Sequence, residues 1–523
     1  MKLVAKTTVH GADCRRWALE FGNYFLNSIR LQIIKTDFYT KRRLLTVLSD
    51  HKFRKGKFVT PWNEFMSELS REESWYYGRL PEYLWLALIL DYYGREDGLA
   101  KCYRIIKKLH QLAPSFTTPR LSRILELDKE VQQQFYEFIL NTISPTVMVP
   151  LTAIFTYSKF PCFASAFCIA DSLVDDRIKK ISSVMKETSD HQTHFSTDVR
   201  FVVLYFELLS GRLNMPKEIM DLILEYPHLS HDDEKMKMIR PSIRSAEMMQ
   251  TTIEPYNENF LNLFWEEVSR MSNCELFYIN FSDDIPDTEE YLTHIKAVLS
   301  YYSELMVASR PLDNKMLVLL AIATYSYKRV LELVDHQLFC TISGRSIVRG
   351  LIENYIMMKY LLQEEANHKD IWTDYQYYGI GQYKLIVERI MESGKELTDS
   401  HVQVKYLDIL VNEYKNKEFI DMDTSYFDKK NVREKAISVG EKELFGFYYD
   451  YDSAFEHGLW GAIRESSLIK CNSPAHQYHC VPDVENKQNL KSVWKDCFDT
   501  MNKTLAVLED VYGCPAHLKK EGK

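Results

Sequence analysis

SGRSIVRGLIENYIMMKYLL, residues 343–362, carries apolar side chains at Ile347, Val348, Leu351, Ile352, Tyr355 and Ile356. That spacing buries one broad face of a helix, whereas a strand would need strict alternation. Two further helical patterns precede it, at 288–308 and 313–338, joined by ASRPLDNK and TISG. Connections this short set consecutive helices side by side and antiparallel, so a bundle is expected.

The helical signal continues outward in both directions. Further helices are expected over 369–393, 399–418 and 441–468. Nearer the N-terminus, LPEYLWLALILDYY places Pro81 at a first helical position and stops at Gly94, with Asp97 expected to cap the next helix. VRFVVLYFELL (199–209) is β-branched at its start but fits a buried helix. The expected class is all-α, as a multi-domain helical protein. An N-terminal helical domain covers 1–145, a middle helical region 146–285, and a C-terminal helical bundle holding the site 286–523.

Composition narrows the function classes. The 523 residues are 46% hydrophobic and 26% charged, ordinary globular values. A net charge of −8 leaves no overall basic footprint for nucleic acid. One local strip, KRRLLTVLSDHKFRKGK (41–57), is basic and reads first as a solvated face, with anion docking as the alternative. The start of the chain shows no secretory signal, and the apolar region 145–170 is broken by Lys159, Pro145, Pro150 and Pro161. A buried helix pair is expected there rather than a membrane span. Ten cysteines without a C-x-x-C pair suit reduced thiols, so a cytoplasmic location is expected.

The chemistry-bearing run is YDSAFEHGLWGAIRESSLIKCNSPAHQYHCVPD, 451–483. Read as one helix, Ser453, His457, Trp460 and Arg464 form a continuous stripe. Gly458 and Gly461 beside it suggest a tight helix crossing or a ligand held against the backbone. Arg345, Arg349 and Glu353 recur every four residues on the apolar helix quoted above. Buried charges need partners, so the two stripes are expected to face each other, with Glu353 pairing Arg464 or orienting His457. A network that only fixes helix register is the competing reading. Cys471, His476, His479 and Cys480 follow, but this spacing does not match the usual zinc pairs, so no metal is expected.

The runs HGLWGAIRE and CNSPAHQYH resemble the C-terminal signature of a bacterial helical family, the domain of unknown function numbered five-six-seven-seven. SGRSIVRGLIENYIMMKYLL is similar to that family's Arg-rich helix, and RLPEYLWLALILDYYGREDGLAKCYRIIKKL to the leading region of its long members. The resemblance implies His457, Arg464, His476, His479, Arg345 and Glu353 as characteristic positions and brings no established activity. A neighbouring analogy is the helical nucleotide-binding bundle of defence ribonucleases, whose motif is Arg, a short spacer, then His. Arg104 with His110 and Arg329 with His336 fit it, but with 15 histidines chance supplies about two such matches.

The expectation is a bacterial defence or stress effector whose bundle binds RNA and can cleave it. His457 would act as general base, Arg464 and Arg345 would stabilise phosphate charge, and Glu353 would orient His457 or Arg464. His476 and His479 would serve as general acid or phosphate contacts. No cofactor and no membrane contact are expected. The alternatives are a non-enzymatic helical interaction protein, with a protein partner or a second copy, and a sensor binding a nucleotide or small anion.

Overall fold

The structure, a computed structural model, describes residues 52–54, 56–59, 74–169, 172–211, 217–250, 256–279, 281, 287–309, 313–395, 397, 400–414, 420–422, 427–477 and 479–519. Among the described residues the fold is all-α apart from two small sheets. It forms two compact units. The first contains the described residues up to Phe277 together with Lys470–Cys480, and the second contains Tyr278–Ile469 and Val481 onward.

The first unit is built on α1 (Leu80–Tyr93), α2 (Arg95–Leu112), α3 (Lys129–Thr142), α4 (Val174–Thr188), α5 (His194–Leu209), α6 (Met236–Gln250) and α7 (Glu258–Met271). Every residue of α1 from Leu80 to Leu90 is buried, as suits a helix apolar on all sides. The one acid in that stretch, Glu82, accepts hydrogen bonds from the Ser122 amide at 2.9 Å and its hydroxyl at 2.7 Å. Gly94, at φ +76°, lets the chain turn so sharply that α2 begins at Arg95. Asp97 therefore lies in the first turn of α2 rather than capping it, where its charge still complements the helix dipole.

The chain on either side of position 145 packs into one core. Tyr136 of α3 meets Phe163 at a ring separation of 5.7 Å, and Phe155 stacks on Phe260 of α7 at 5.7 Å. The described residues between Trp75 and Met271 thus share one core across position 145. The apolar region from Pro145 folds as two 3-10 turns (Pro145–Val147, Val149–Ala153) and a short helix (Pro161–Phe167), not as a helix pair. Each proline lacks the N–H needed to continue a preceding helix. Among the described residues no helix is long and apolar enough to cross a membrane.

Most of the basic strip 41–57 lies outside the described residues. Its end forms a hairpin of β1 (Lys52–Arg54) and β2 (Lys57–Val59), with Phe53 and Phe58 in ring contact at 5.2 Å.

The second unit contains α8 (Glu289–Ala308), α9 (Asn314–Asp335), α10 (Ile342–Glu364), α11 (Ile371–Ser393), α12 (Asp450–Glu456), α13 (Trp460–Ser467) and α14 (Trp494–Tyr512). The Asp313 side chain caps α9 through the Lys315 and Met316 amides, and Thr341 caps α10 through Gly344. Helix α10 is central and packs against α9, α12 and α14. A Cβ at Gly344 would stand 2.4 Å from the Leu338 carbonyl oxygen, so only glycine fits where α10 begins.

The expected single helix over 441–468 is broken. Helix α12 ends at Glu456 and α13 starts at Trp460. Gly458, at φ +56°, donates its N–H to the Phe455 carbonyl at 3.3 Å, and the Leu459 N–H reaches the Ala454 carbonyl at 2.9 Å. This pair of bonds is a Schellman cap with glycine in the left-handed position. No atom lies within 4 Å of a Cβ built on Gly458 or Gly461, so neither marks a tight helix crossing.

Candidate metal centre

Four side chains from distant parts of the chain converge in the first unit. Cys274 follows α7, Cys471 closes strand β4 (Leu468–Cys471), and His476 and His479 sit in the turn beyond it. One ligand atom from each lies within 4.8 Å of all the others. Cys274 Sγ is 3.5 Å from His476 Nδ1 and 3.6 Å from His479 Nε2, and Cys471 Sγ is 3.5 Å from His476 Nδ1. Around a tetrahedral zinc ion, sulfur at about 2.3 Å and nitrogen at about 2.0–2.1 Å stand roughly 3.5 Å from each other. The three sulfur–nitrogen separations match that edge.

Local backbone chemistry explains the convergence. Strand β3 (Leu276–Phe277) pairs antiparallel with β4, setting Leu276 opposite Cys471 and Phe277 opposite Lys470. The Asn472 amide donates to the Glu275 carbonyl at 2.7 Å, and the Cys471 amide to the His479 carbonyl at 2.9 Å. Between them Pro474 opens a 3-10 turn to His476, and Gln477 adopts a left-handed conformation at φ +54°. The turn is anchored by buried Pro474 and Ala475 and by a hydrogen bond from the Tyr76 hydroxyl to the Pro474 carbonyl.

Surrounding groups orient the ligands. His476 Nε2 faces two carbonyls at the C-terminal end of α7, Ser272 at 3.0 Å and Ser269 at 3.2 Å. Carbonyls only accept, so Nε2 carries the proton and the Nδ1 lone pair points at the two sulfurs. The Ser473 amide donates to Cys471 Sγ at 3.4 Å. Desolvation and the neighbouring Cys471 thiol push the Cys274 thiol up. A divalent cation between two such sulfurs turns their mutual repulsion into binding.

The expectation was of no metal on this run. In the structure three side chains of C-x4-H-x2-H cluster, and Cys480 is not the fourth member. Cys274, 202 residues before His476, takes that place. No signal within the C-terminal run reveals it, because only the pairing of β3 with β4 brings the two segments together.

The six residues expected to form one site do not share a unit. His476 and His479 belong to the first, whereas Arg345, Glu353, His457 and Arg464 belong to the second. The β3 pairing and the Tyr76 contact draw the histidine turn into the first unit. Within the second unit, Arg345 is 4% exposed, donates to the Lys491 carbonyl at 2.6 Å and lies over the Tyr451 and Phe455 rings. Arg349 donates to the Ser453 hydroxyl at 3.1 Å and the Tyr449 hydroxyl at 2.8 Å. Glu353 pairs neither Arg464 nor His457. It lies 3.6 Å from Arg349 on its own helix and accepts from the Tyr449 hydroxyl at 3.2 Å. Arg464 donates to the Leu468 carbonyl at the end of its own helix, at 3.1 Å. His457 ends α12 and is exposed. Among the described residues no hydrogen bond or ion pair joins Arg345, Arg464 and His457, because the break at Gly458 separates the two halves of the expected stripe.

No curated protein and no solved structure matches the chain. The matched segment of the one family comparison runs from the start of α9 into the histidine turn, taking in Arg345, Glu353, His457, Arg464, Cys471 and His476 and stopping before His479. Residues 315–476 match the family of unknown function (DUF5677), the family whose signature the C-terminal runs resemble.

Proposed function

We propose that this chain is a non-enzymatic helical protein whose first unit is fastened by a structural zinc ion on Cys274, Cys471, His476 and His479. The observation that carries this reading is the set of two sulfurs and two imidazole nitrogens within 4.8 Å of one another, three of whose sulfur–nitrogen separations have the tetrahedral length. Structural zinc sites fill all four positions with protein ligands, whereas catalytic ones keep a position open for water. Two thiolates with two imidazoles favour zinc over magnesium or calcium, which prefer oxygen. The ionisable residues of α10 support a non-catalytic reading as well, since Arg345, Arg349 and Glu353 are engaged in bonds within the second unit.

The test is metal analysis of the full chain purified without chelator, beside the Cys274→Ser variant. One zinc per chain, lost in the variant together with a lowered melting temperature, supports the proposal. A metal-free wild type that also takes up no added zinc counts against it.

An RNA-directed effector is the second reading, and one observation favours it. The imidazole of the exposed His457 makes no hydrogen bond among the described residues, so it is open to a ligand. Expression toxicity or RNA cleavage abolished by His457→Ala and by Arg464→Ala would establish that reading over the non-enzymatic one. Activity that survives both substitutions would remove it.

A further inference from the structure

The first unit holds a second concentration of ionisable groups where α5 meets α6. Arg240 and Arg244 sit one turn apart on α6, both half-buried. Arg240 Nη2 donates to the His231 carbonyl and approaches His231 Nδ1 at 3.2 Å. Arg244 Nε donates to the Thr197 hydroxyl in the first turns of α5, at 3.1 Å. His194, the first residue of α5, stacks on His231 with ring centroids 4.3 Å apart.

The acids nearby are already committed. Asp198 takes Arg95 Nε at 3.0 Å and the Tyr226 hydroxyl at 2.8 Å, and its other oxygen stands 3.8 Å from His231 Nε2. Arg95 in turn is saturated by the Leu229 and Tyr226 carbonyls at 2.9 and 2.6 Å. Deeper in, Glu247 serves both Arg79 and Arg200. Asp190 and Asp232 contribute at longer range, yet no carboxylate forms an ion pair with Arg240 or Arg244 among the described residues. Like charges one helical turn apart repel unless an anion lies between them.

The titrating groups respond in the same sense. Desolvation first, then Arg95, His194 and Arg240, lowers His231 to about 4. Desolvation with Arg240 and Arg244 lowers His194. Burial and Arg240 bring Arg244 down to about 10. Burial is the largest cause in each case, and the neighbouring cations act in the same direction. The surface also stands at the N-terminus of α5, where the Ser196 amide is taken by the Thr193 hydroxyl at 3.0 Å and the His194 and Phe195 amides have no acceptor within the helix.

The structure assigns to this surface a binding site for a tetrahedral oxyanion of the phosphate class, either free phosphate or a phosphomonoester. Arg240 and Arg244 supply forked donors, His194 and the leading α5 amides complete the cradle, and His231 orients Arg240. The site shares no residue with the zinc ligands and does not depend on them.

Isothermal titration of the full chain with inorganic phosphate, and separately with adenosine monophosphate, tests the assignment at constant ionic strength against chloride. Saturable binding of either ligand is expected. Arg244→Gln should weaken it at least tenfold, with circular dichroism and zinc content unchanged. The more exposed Arg240→Gln provides the same reading if Arg244→Gln fails to fold. Tighter binding of the monophosphate would identify a phosphoester ligand, tighter binding of phosphate the free ion, and both outcomes support the site. No saturable binding of either ligand, or wild-type binding in both variants, would overturn it.

Discussion

Asp452 is 3% exposed in the second unit, and burial there, countered by Arg345 and reinforced by Asp496, pushes its carboxyl up to about 7 from an ordinary 3.8. Above pH 7 the folded state holds a charge that the interior disfavours. As pH falls from about 7 toward 4, the folded state takes up a proton before the unfolded chain does, and stability rises. Asp452→Asn is therefore expected to stabilise the protein by about 1–3 kcal/mol at pH 8 and to give little near pH 4. Urea melts at both pH values check this, and an equal gain at both would contradict it. The same scale shows what single residues reveal in sequence. His476 and His479 stood out by their spacing, and Arg345 by its apolar surroundings. Cys274 did not, because a lone cysteine carries no mark of a partner more than 200 residues away. Asp452 was equally silent, since its character comes from burial that its neighbours in sequence do not disclose.

Helices α8, α9 and α10 fall within a few residues of the apolar periodicities that announce them, and their caps Asp313 and Thr341 stand where capping chemistry places them. The segment 441–468 misled for a physical reason. Its apolar and polar periodicity continues through Gly458, but a glycine able to adopt φ +56° ends the helix at lower cost than continuing it. Two substitutions separate a cap from a helix crossing. Gly458→Ala should destabilise by about 1–2 kcal/mol, because alanine is strained in the left-handed region. Gly461→Ala should be neutral or stabilising by up to about 1 kcal/mol, since open space surrounds it. Thermal melts of the two variants check both signs, and a large loss from Gly461→Ala would restore the crossing.

At the scale of the whole molecule, the chain leaves the first unit after Phe277 and returns to it for Lys470–Cys480. Strand pairing, the Tyr76–Pro474 hydrogen bond and the His476 contacts to the end of α7 hold that return, and the proposed zinc ion, on ligands from both segments, would close the long loop between them. Closing so long a loop removes considerable conformational freedom from the unfolded chain, so the stabilisation expected of the clip is on the order of several kcal/mol. Periodicity within a segment forecasts helices, but the return of a distant segment depends on tertiary pairing. For this reason the all-α class was legible and the discontinuous first unit was not. Chelation should lower the melting temperature of the wild type while leaving Cys274→Ser unaffected, as a differential scanning experiment would record.

The most direct measurement is the zinc stoichiometry of the purified full chain by plasma mass spectrometry, compared among the wild type, Cys274→Ser and Cys480→Ser. One zinc is expected in the wild type and in Cys480→Ser, and a loss in Cys274→Ser. Zinc retained by Cys274→Ser and lost from Cys480→Ser would contradict the ligand set, and a wild type that binds none even when zinc is supplied would contradict the centre itself.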